Sequence, residues 1–472
     1  MMKRLSRTTT GMVLFGLDAA LVLAVWPLVL LFTRPGLLSL SGLPVDARGF
    51  SYPLFDLLLL FAMGLYRREA VVEFGRSLTR VPLVVGMGAA LAVLLSLIQP
   101  VLIAGGVAPG GEDQAVLFAL AFVTFTACAF AARVVIDLLV RRHILSRRLL
   151  IIGAGQRAWE LVLMLNREGS SLNDEVSLLY DPALGKIDPR LAENPSGRIY
   201  RPAGFDVLSV ARMVKADVII VAPDDRRGMN LQRLLECKRA GYPVVQYLSF
   251  VEKEIRRIDL KRMDLGWLIY SGGFTFGAMD RFLKRLFDLG VSSVMLLLTA
   301  PLILGGMIAI RSEGPGPVFY WQERVTLDGR VFWIMKLRTM RVNAEAKGAV
   351  WAMEKDNRIT KAGAFLRRTR IDELPQLVNI LRGDMSFVGP RPERPMFVAE
   401  LADKIPLYNE RHMVKAGLTG WAQINYPYGA SIDDARSKLS YDLYYVKNFS
   451  ILFEFVILLQ TLRVVLWPSG VR

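Results

Sequence analysis

LGVSSVMLLLTAPLILGGMIAI, residues 289–310, is an apolar run long enough to cross a bilayer, yet basic residues stand at both of its ends. Arg281, Lys284 and Arg285 precede it, and Arg311 follows it. Cations favour the cytoplasmic side of a membrane, so both ends ask for the same side. Pro301 lies mid-run, where it removes a helix hydrogen bond and forces a kink. The run reads either as a fifth spanning helix or as a bent, re-entrant helix over 284–311 that enters the inner leaflet and returns. Hydropathy alone leaves the two readings level. Spanning would carry everything after Arg311 away from the cytoplasmic nucleotide pool.

Four apolar stretches precede this run, near residues 11–33, 50–66, 81–104 and 114–140, and they predict a four-helix transmembrane domain over 1–146. Basic residues cluster at Lys3, Arg4 and Arg7, at Arg67, Arg68, Arg76 and Arg80, and at Arg141, Arg142, Arg147 and Arg148, whereas the two other loops hold only Arg34 and Arg48. The N-terminus, the 67–80 loop and everything after 141 are therefore expected in the cytoplasm. The first run lacks a small-residue cleavage site and is expected to stay as an anchor. Asp18, Asp56 and Asp137 fall in or at the edges of these helices and read as interhelical or interface residues rather than chemistry.

The 472 residues carry 59 Lys and Arg against 43 Asp and Glu, a formal charge of +16. Beside so much apolar sequence, that excess points to membrane lipid and phosphate-bearing substrates. A nucleic-acid partner is set aside because the charge is scattered at membrane edges and around residues 322–391. Two cysteines, Cys128 and Cys237, cannot build a disulfide framework or a Cys-rich metal site.

From Arg148 the sequence RLLIIGAGQRAWELVLML gives an apolar strand, a turn at Gly153 and Gly155, and a helical apolar period. Further strands are expected at VSLLYD, ending in Asp181, at ADVIIVAP and at PVVQYLSF. The alternation predicts a Rossmann-like parallel α/β domain over 147–250, then a linker over 251–280. Gly155 and Asp181 would serve a dinucleotide, but GxGxxA with Ala158 third is a weak pattern, and a cofactor-free structural or regulatory domain is preferred. No tyrosine is followed four residues later by lysine, so a nucleotide-sugar dehydratase of the short-chain reductase type loses its catalytic pair.

Polar, Gly and Pro residues concentrate after residue 281 in QERVTLDG (322–329), KLRTM (336–340), RRTRIDELPQL (367–377) and GDMSFVGPRPERP (383–395). Asp372 and Glu373 stand at a predicted helix start, where capping alone would explain an acidic pair. Arg367, Arg368 and Arg370 favour chemistry instead, because guanidinium forks match phosphate oxygens and a carboxylate can attack phosphorus. Mg²⁺, which takes one or two carboxylates plus substrate phosphates, suits the same pair. AGLTGWAQINYPYG (416–429) places Trp421 where it would meet a nucleobase or the membrane surface, and His412, with no acidic partner in pattern, reads as a packing or surface residue.

The ordered set KRLFDL, a Pro-interrupted apolar segment, PVFYWQER, KLRTM, RIDELPQLVNILRGDMSFVGPRPERP, GLTGWAQIN and YDLYYVKN resembles the bacterial sugar transferase family, the monotopic phosphoglycosyl transferases. With the N-terminal helices and α/β domain, the chain is similar to the large exopolysaccharide-type members. The resemblance implies an inner-membrane enzyme with a mainly α catalytic domain over 281–472. It would move glucose- or galactose-1-phosphate from a UDP-sugar to undecaprenyl phosphate. Asp372 would carry the phosphosugar, Glu373 would assist with Mg²⁺ or with acceptor deprotonation, and both acids would hold the metal. Lys336, Arg338, Arg370 and Arg391, with Gln322 and Arg324, would hold phosphate and nucleotide, and Pro301 would bend the re-entrant helix. Ala300, Thr326 and Ala416 replace the family's Ser, Gly and Pro at loop and kink positions, away from the acids. The tail FSILFEFVILLQTLRVVLW (449–467) is preferred as an interfacial amphipathic helix over a span. A catalytically inactive scaffold of an export complex is the rival reading, opposed by the intact RIDELPQ; a homodimer is admitted without a physical argument for it.

Overall fold

A computed structural model of the chain describes residues 7–33, 47–67, 75, 77–88, 90, 111–142, 147–167, 175–193, 197–200, 206–263, 266, 270–342, 358–426, 429 and 431–466. They form two compact units, Met1–Ile255 and Arg256–Arg472. The stretch 251–280, expected as a linker, is divided between them.

The first unit opens with helices α1 (Arg7–Thr33) and α2 (Ala47–Ala62), helical residues 77–88, and α3 (Gly111–Arg141). Gly11–Thr33 and Ala119–Val140 are long and apolar enough to cross a bilayer, while the apolar part of α2, Pro53–Ala62, is shorter. Of the expected third stretch, residues 91–104 lie outside the described residues. Asp18 of α1 is an interhelical contact, as expected. Arg133 of α3 reaches its Oδ2 at 3.3 Å and also donates to Ser77 Oγ at 3.0 Å.

Next comes the α/β domain: β1 (Arg148–Ile152), α4 (Gln156–Arg167), β2 (Glu175–Leu179), β3 (Gly197–Tyr200), α5 (Val207–Met213), β4 (Val218–Val221), α6 (Leu231–Arg239), β5 (Val244–Gln246) and α7 (Tyr247–Ile255). Every pairing is parallel, in the order β3-β2-β1-β4-β5. Leu149 to Ile152 are fully buried, because a parallel sheet is covered on both faces. The domain closes at its ends through Arg147, whose two Nη groups each donate to one oxygen of Glu254 at 3.1 Å. At the glycine turn the chain uses its own acids. Gln156 N and Arg157 N, at the start of α4, donate to Asp224 Oδ2 and Oδ1 at 2.7 and 2.9 Å. A Cβ at Gly155 would collide with that carboxylate. Asp181 accepts from Ala183 N at 2.9 Å and caps the short turn Pro182–Leu184.

The second unit contains α8 (Ala278–Ser312), the antiparallel hairpin β6 (Phe319–Val325) and β7 (Val331–Leu337), α9 (Lys361–Thr369), a 3-10 turn (Ile371–Glu373), α10 (Gln376–Arg382), β8 (Ser386–Val388), α11 (Pro395–Lys404), β9 (Gly417–Thr419), α12 (Trp421–Asn425), α13 (Ile432–Lys447) and α14 (Ile451–Leu466). Residues 256–263 belong to it, with Ile258 packed among Leu401, Ile405, Tyr408, Leu439 and Leu443.

The 35 residues of α8 span about 52 Å at helical rise. The helix continues through Pro301, and Thr299 Oγ1, one turn past Met295, donates to the Met295 carbonyl at 2.7 Å. Ala300 supplies no hydroxyl beside the proline, so Thr299 is the hydroxyl nearest to it. Leu297, Leu298, Leu302, Leu304 and Ile308 are exposed, a surface that suits lipid. Few residues of α8 are buried: Asp288 and Ser292 in its first half, and Gly306 and Ile310 in its second. In the first half, Asp288 accepts from Ser386 Oγ at 2.9 Å and Phe387 N at 3.0 Å. In the second, Gly306 lies so close to Leu337 and Leu366 that a Cβ there would crowd both. Helix α14 buries the polar residues Glu454 and Gln460 beside Ile457, while Leu452, Phe455 and Leu462 are exposed.

Candidate active site

Three local features bring the acidic pair to β7. Helix α9 ends at Arg370, whose φ of 60° is left-handed, a conformation that costs a non-glycine residue about 1 kcal/mol. That residue reverses the chain into the 3-10 turn. Ile371 then packs against Ile310, Leu337 and Leu366, so the turn is pinned between β7 and the far end of α8. The acids follow directly.

Glu373 collects cations. Lys336 Nζ lies 3.1 Å from its Oε1, Arg391 Nη2 3.6 Å from the same oxygen, and Arg370 Nη1 3.8 Å from Oε2. Burial alone would raise its pKa, but Lys336, Arg391 and Arg370 outweigh burial and hold the carboxyl well below the usual carboxylate range. Burial pulls the Lys336 ammonium below its ordinary value, against the charge of Glu373.

Asp372 is the opposite case. It is 8% exposed, and its buried Oδ1 accepts no hydrogen bond. Burial, then the charge of Glu373, pushes its pKa up to about 6, against the pull of Lys336, Arg367 and Arg370. Adjacent carboxylates driven apart in this way take different chemical roles. Glu373 is a fixed anion that gathers cations, and Asp372 is a carboxylate with an uncommitted oxygen. Capping does not account for the pair, because α10 starts at Gln376 after Pro375 and has no side-chain cap.

The loop carrying Arg391 is fastened almost carbonyl by carbonyl. Val388 O accepts from Lys284 Nζ at 3.1 Å, and the hydroxyls of Tyr445 and Ser386 lie 3.1 and 2.9 Å from it. Pro390 O accepts from Gly417 N at 2.8 Å, Arg391 O from Arg411 Nη2 at 3.0 Å, Pro392 O from Arg324 Nη1 at 3.0 Å, and Glu393 O from Val325 N at 3.0 Å. Arg324 also donates through Nη2 to Gln322 Oε1 at 2.5 Å. The expected substrate set is thus brought together in layers. Lys336, Arg370 and Arg391 face Glu373, and Gln322 and Arg324 adjoin the Arg391 loop. Arg338 stands apart, with Nη1 donating to Pro315 O at 3.3 Å in the turn after α8.

Sequence reasoning did not find the supports of this loop. Lys284 bonds Asp288 Oδ1 at 3.1 Å and Glu454 Oε2 at 2.6 Å, and Tyr445 Oη donates to Glu454 Oε1 at 2.5 Å. The one available signal was Glu454, an acid inside an apolar helix.

Among the described residues no three His, Cys, Asp or Glu side chains converge as a metal cage. The buried, unpartnered Asp372 Oδ1 beside Glu373 suits a hard divalent ion whose remaining ligands are substrate phosphates and water.

Compared with known proteins, residues 279–468 match the bacterial sugar transferase family. Over 264 residues the chain is 38% identical to the UDP-N-acetylgalactosamine-undecaprenyl-phosphate N-acetylgalactosaminephosphotransferase of Aeromonas hydrophila, covering 55% of this chain and 61% of that protein. It is 50% identical over 129 residues to a putative undecaprenyl-phosphate N-acetylgalactosaminyl 1-phosphate transferase of Bacillus subtilis (strain 168), covering 27% of this chain and 72% of that protein. It is 38% identical over 185 residues to the UDP-glucose:undecaprenyl-phosphate glucose-1-phosphate transferase of Escherichia coli (strain K12), covering 39% of this chain and 40% of that protein. The chain therefore spans less than two thirds of the Aeromonas and Escherichia relatives.

Proposed function

Because the chain belongs to the bacterial sugar transferase family, we propose that it moves a sugar-1-phosphate from a UDP-sugar onto undecaprenyl phosphate, releasing UMP and starting an exopolysaccharide repeat unit. The observation that carries this reading is the uncommitted carboxylate of Asp372 beside a glutamate that gathers Lys336, Arg370 and Arg391. Asp372 attacks the phosphorus bonded to the sugar. The bond from that phosphorus to the bridging oxygen breaks, UMP leaves, and the phosphosugar stays on Asp372 as an acyl phosphate. A phosphate oxygen of the polyprenyl acceptor then attacks the same phosphorus, and the bond to Asp372 breaks to restore the carboxylate. Lys336, Arg370 and Arg391 offset the charge spread over the transferring group. Mg²⁺, held by Asp372, Glu373 and the donor phosphates, would supply further neutralisation of the diphosphate.

The acceptor is a lipid, and α8 offers the route to it. One domain grips α8 at Asp288 and again at Gly306, whereas a helix crossing a hydrocarbon core of about 30 Å puts its ends on opposite sides. Both grips and both basic flanks favour a helix that dips in and returns on the cytoplasmic face, bringing the site to the headgroup of the acceptor. The donors named for the relatives divide between glucose and N-acetylgalactosamine, so the sugar is decided by assay.

The test is UMP release from UDP-glucose, UDP-galactose, UDP-N-acetylglucosamine and UDP-N-acetylgalactosamine, with undecaprenyl phosphate and Mg²⁺. Release dependent on the acceptor, lost in a folded Asp372→Asn protein, supports the reading and names the donor. A folded wild-type protein inactive on the whole panel sinks it.

A further inference from the structure

Arg391 is the one cation of the Glu373 cluster that comes from outside β7 and the acidic turn, so its placement depends on how its loop is held. Pro390 and Pro392 fix φ on either side of it. Its own carbonyl is held by Arg411, from the segment between α11 and β9. Arg411 is 5% exposed, donates through Nη2 to Arg391 O at 3.0 Å, and through Nη1 to Tyr408 Oη at 2.8 Å. Asp442 of α13, 2% exposed, lies 2.8 Å from Nη2. The Nε of Arg411 is buried without a hydrogen-bond partner.

For stability alone this is a poor arrangement. A buried ion pair repays its desolvation only when every donor is satisfied, and apolar residues of similar volume commonly do as well or better. What an apolar side chain cannot do is reach the Arg391 carbonyl with a fixed, planar donor. Resting on the transferase reading above, we propose that Arg411, locked by Asp442 and Tyr408, is a positioning residue that sets the Arg391 guanidinium at Glu373 and the donor diphosphate. Lysine keeps the charge at 411 but has no fork to serve Arg391 O, Tyr408 and Asp442 together.

The full-length protein in detergent allows a double-mutant cycle. Arg411→Lys and Arg391→Ala are made singly and together, and each is assayed for UDP binding by equilibrium dialysis and for the kcat and KM of UMP release. Arg411→Lys is expected to weaken UDP binding and raise the donor KM about tenfold, with KM for the polyprenyl acceptor unchanged. In the Arg391→Ala background the same change is expected to cost less than about twofold, because the group it positions is gone. Equal losses in both backgrounds would mean a structural role and overturn the proposal. If Arg411→Lys does not fold, Tyr408→Phe removes one partner of Arg411 and must show a smaller loss with the same dependence on Arg391. An Arg391→Ala protein with normal UDP binding and turnover would overturn this inference while leaving Asp372 chemistry standing. Loss of the transferase reading itself would appear as an inactive wild-type protein.

Discussion

Asp224, in the loop after β4, and Asp372, on the 3-10 turn, meet opposite fates. The carboxylate of Asp224 takes the Gln156 and Arg157 amides at the head of α4, where a dinucleotide fold receives a pyrophosphate. Asp372, on the 3-10 turn, keeps a buried oxygen that accepts nothing. A satisfied carboxylate stabilises its surroundings, whereas an unsatisfied one is kept at a cost and is available to an incoming atom. The α/β domain carries the more familiar ligand pattern, and its Asp224 and Asp181 are bonded within the domain. The capacity for chemistry remains at the acidic pair.

The sharpest way to break this comparison is to neutralise both aspartates. Asp372→Asn should lower kcat for UMP release by a factor of about 10³ or more, as expected for a lost nucleophile. Its folded state should survive. The pKa of Asp372 is raised from 3.8 to about 6, so the folded protein binds the proton more tightly than the unfolded chain, and this group weakens stability as pH rises from 3.8 through about 6. Asparagine removes that penalty, so the variant should melt no lower than wild type at pH 7.5 by differential scanning fluorimetry. Asp224→Asn should do the reverse, leaving turnover within about twofold while the Gln156 and Arg157 amides exchange faster with deuterium. A turnover loss in Asp224→Asn, or a destabilised Asp372→Asn, would dissolve the contrast.

Next in size is the loss of the lysine that pairs with Glu373. Lys336→Met removes the 3.1 Å partner of Glu373 and should cost about 10² in kcat/KM, a magnitude typical of one preorganised charge in a dry site. Lys336 also pulls the Asp372 pKa down, so the variant's acid limb should move to higher pH. In wild type, kcat/KM for the donor should fall about tenfold per unit below pH about 6, as the nucleophile becomes protonated. Glu373 pushes the same group up, so Glu373→Gln should move its limb to lower pH. A limb that stays fixed in both variants would mean that a different group titrates.

The sequence made some of this legible because the signals are local. Basic residues at both ends of 289–310 needed only adjacency to be read, and the parallel sheet announced itself through apolar runs separated by turn residues. β3 was missed because Gly197–Tyr200 has no apolar run; its edge position needs little burial. The acidic pair stood out because its arginines are neighbours in sequence, but its division of labour did not. That division depends on Lys336 from another strand and Arg391 from a distant loop. Pairings such as Asp18 with Arg133 and Arg411 with Asp442 join segments separated in the chain, and no spacing rule connects them.

The smallest expected effect tests how sharply the cation set is bounded. Arg338 shares the KLRTM segment with Lys336, and by sequence the two were equivalent phosphate holders. The chain leaves β7 at Leu337, and Arg338 turns to the loop after α8, where it donates to Pro315 O at 3.3 Å. A charge-assisted hydrogen bond from this exposed guanidinium to a surface carbonyl is screened by water and worth about 1 kcal/mol, and the group lies outside the Glu373 cluster. Arg338→Ala should therefore change kcat/KM by less than about fivefold, with the pH limb unmoved, against the loss of about 10² expected for Lys336→Met. A loss in Arg338→Ala as large as in Lys336→Met would mean that donor binding draws Arg338 away from Pro315 and into the cluster, extending the site to the end of α8.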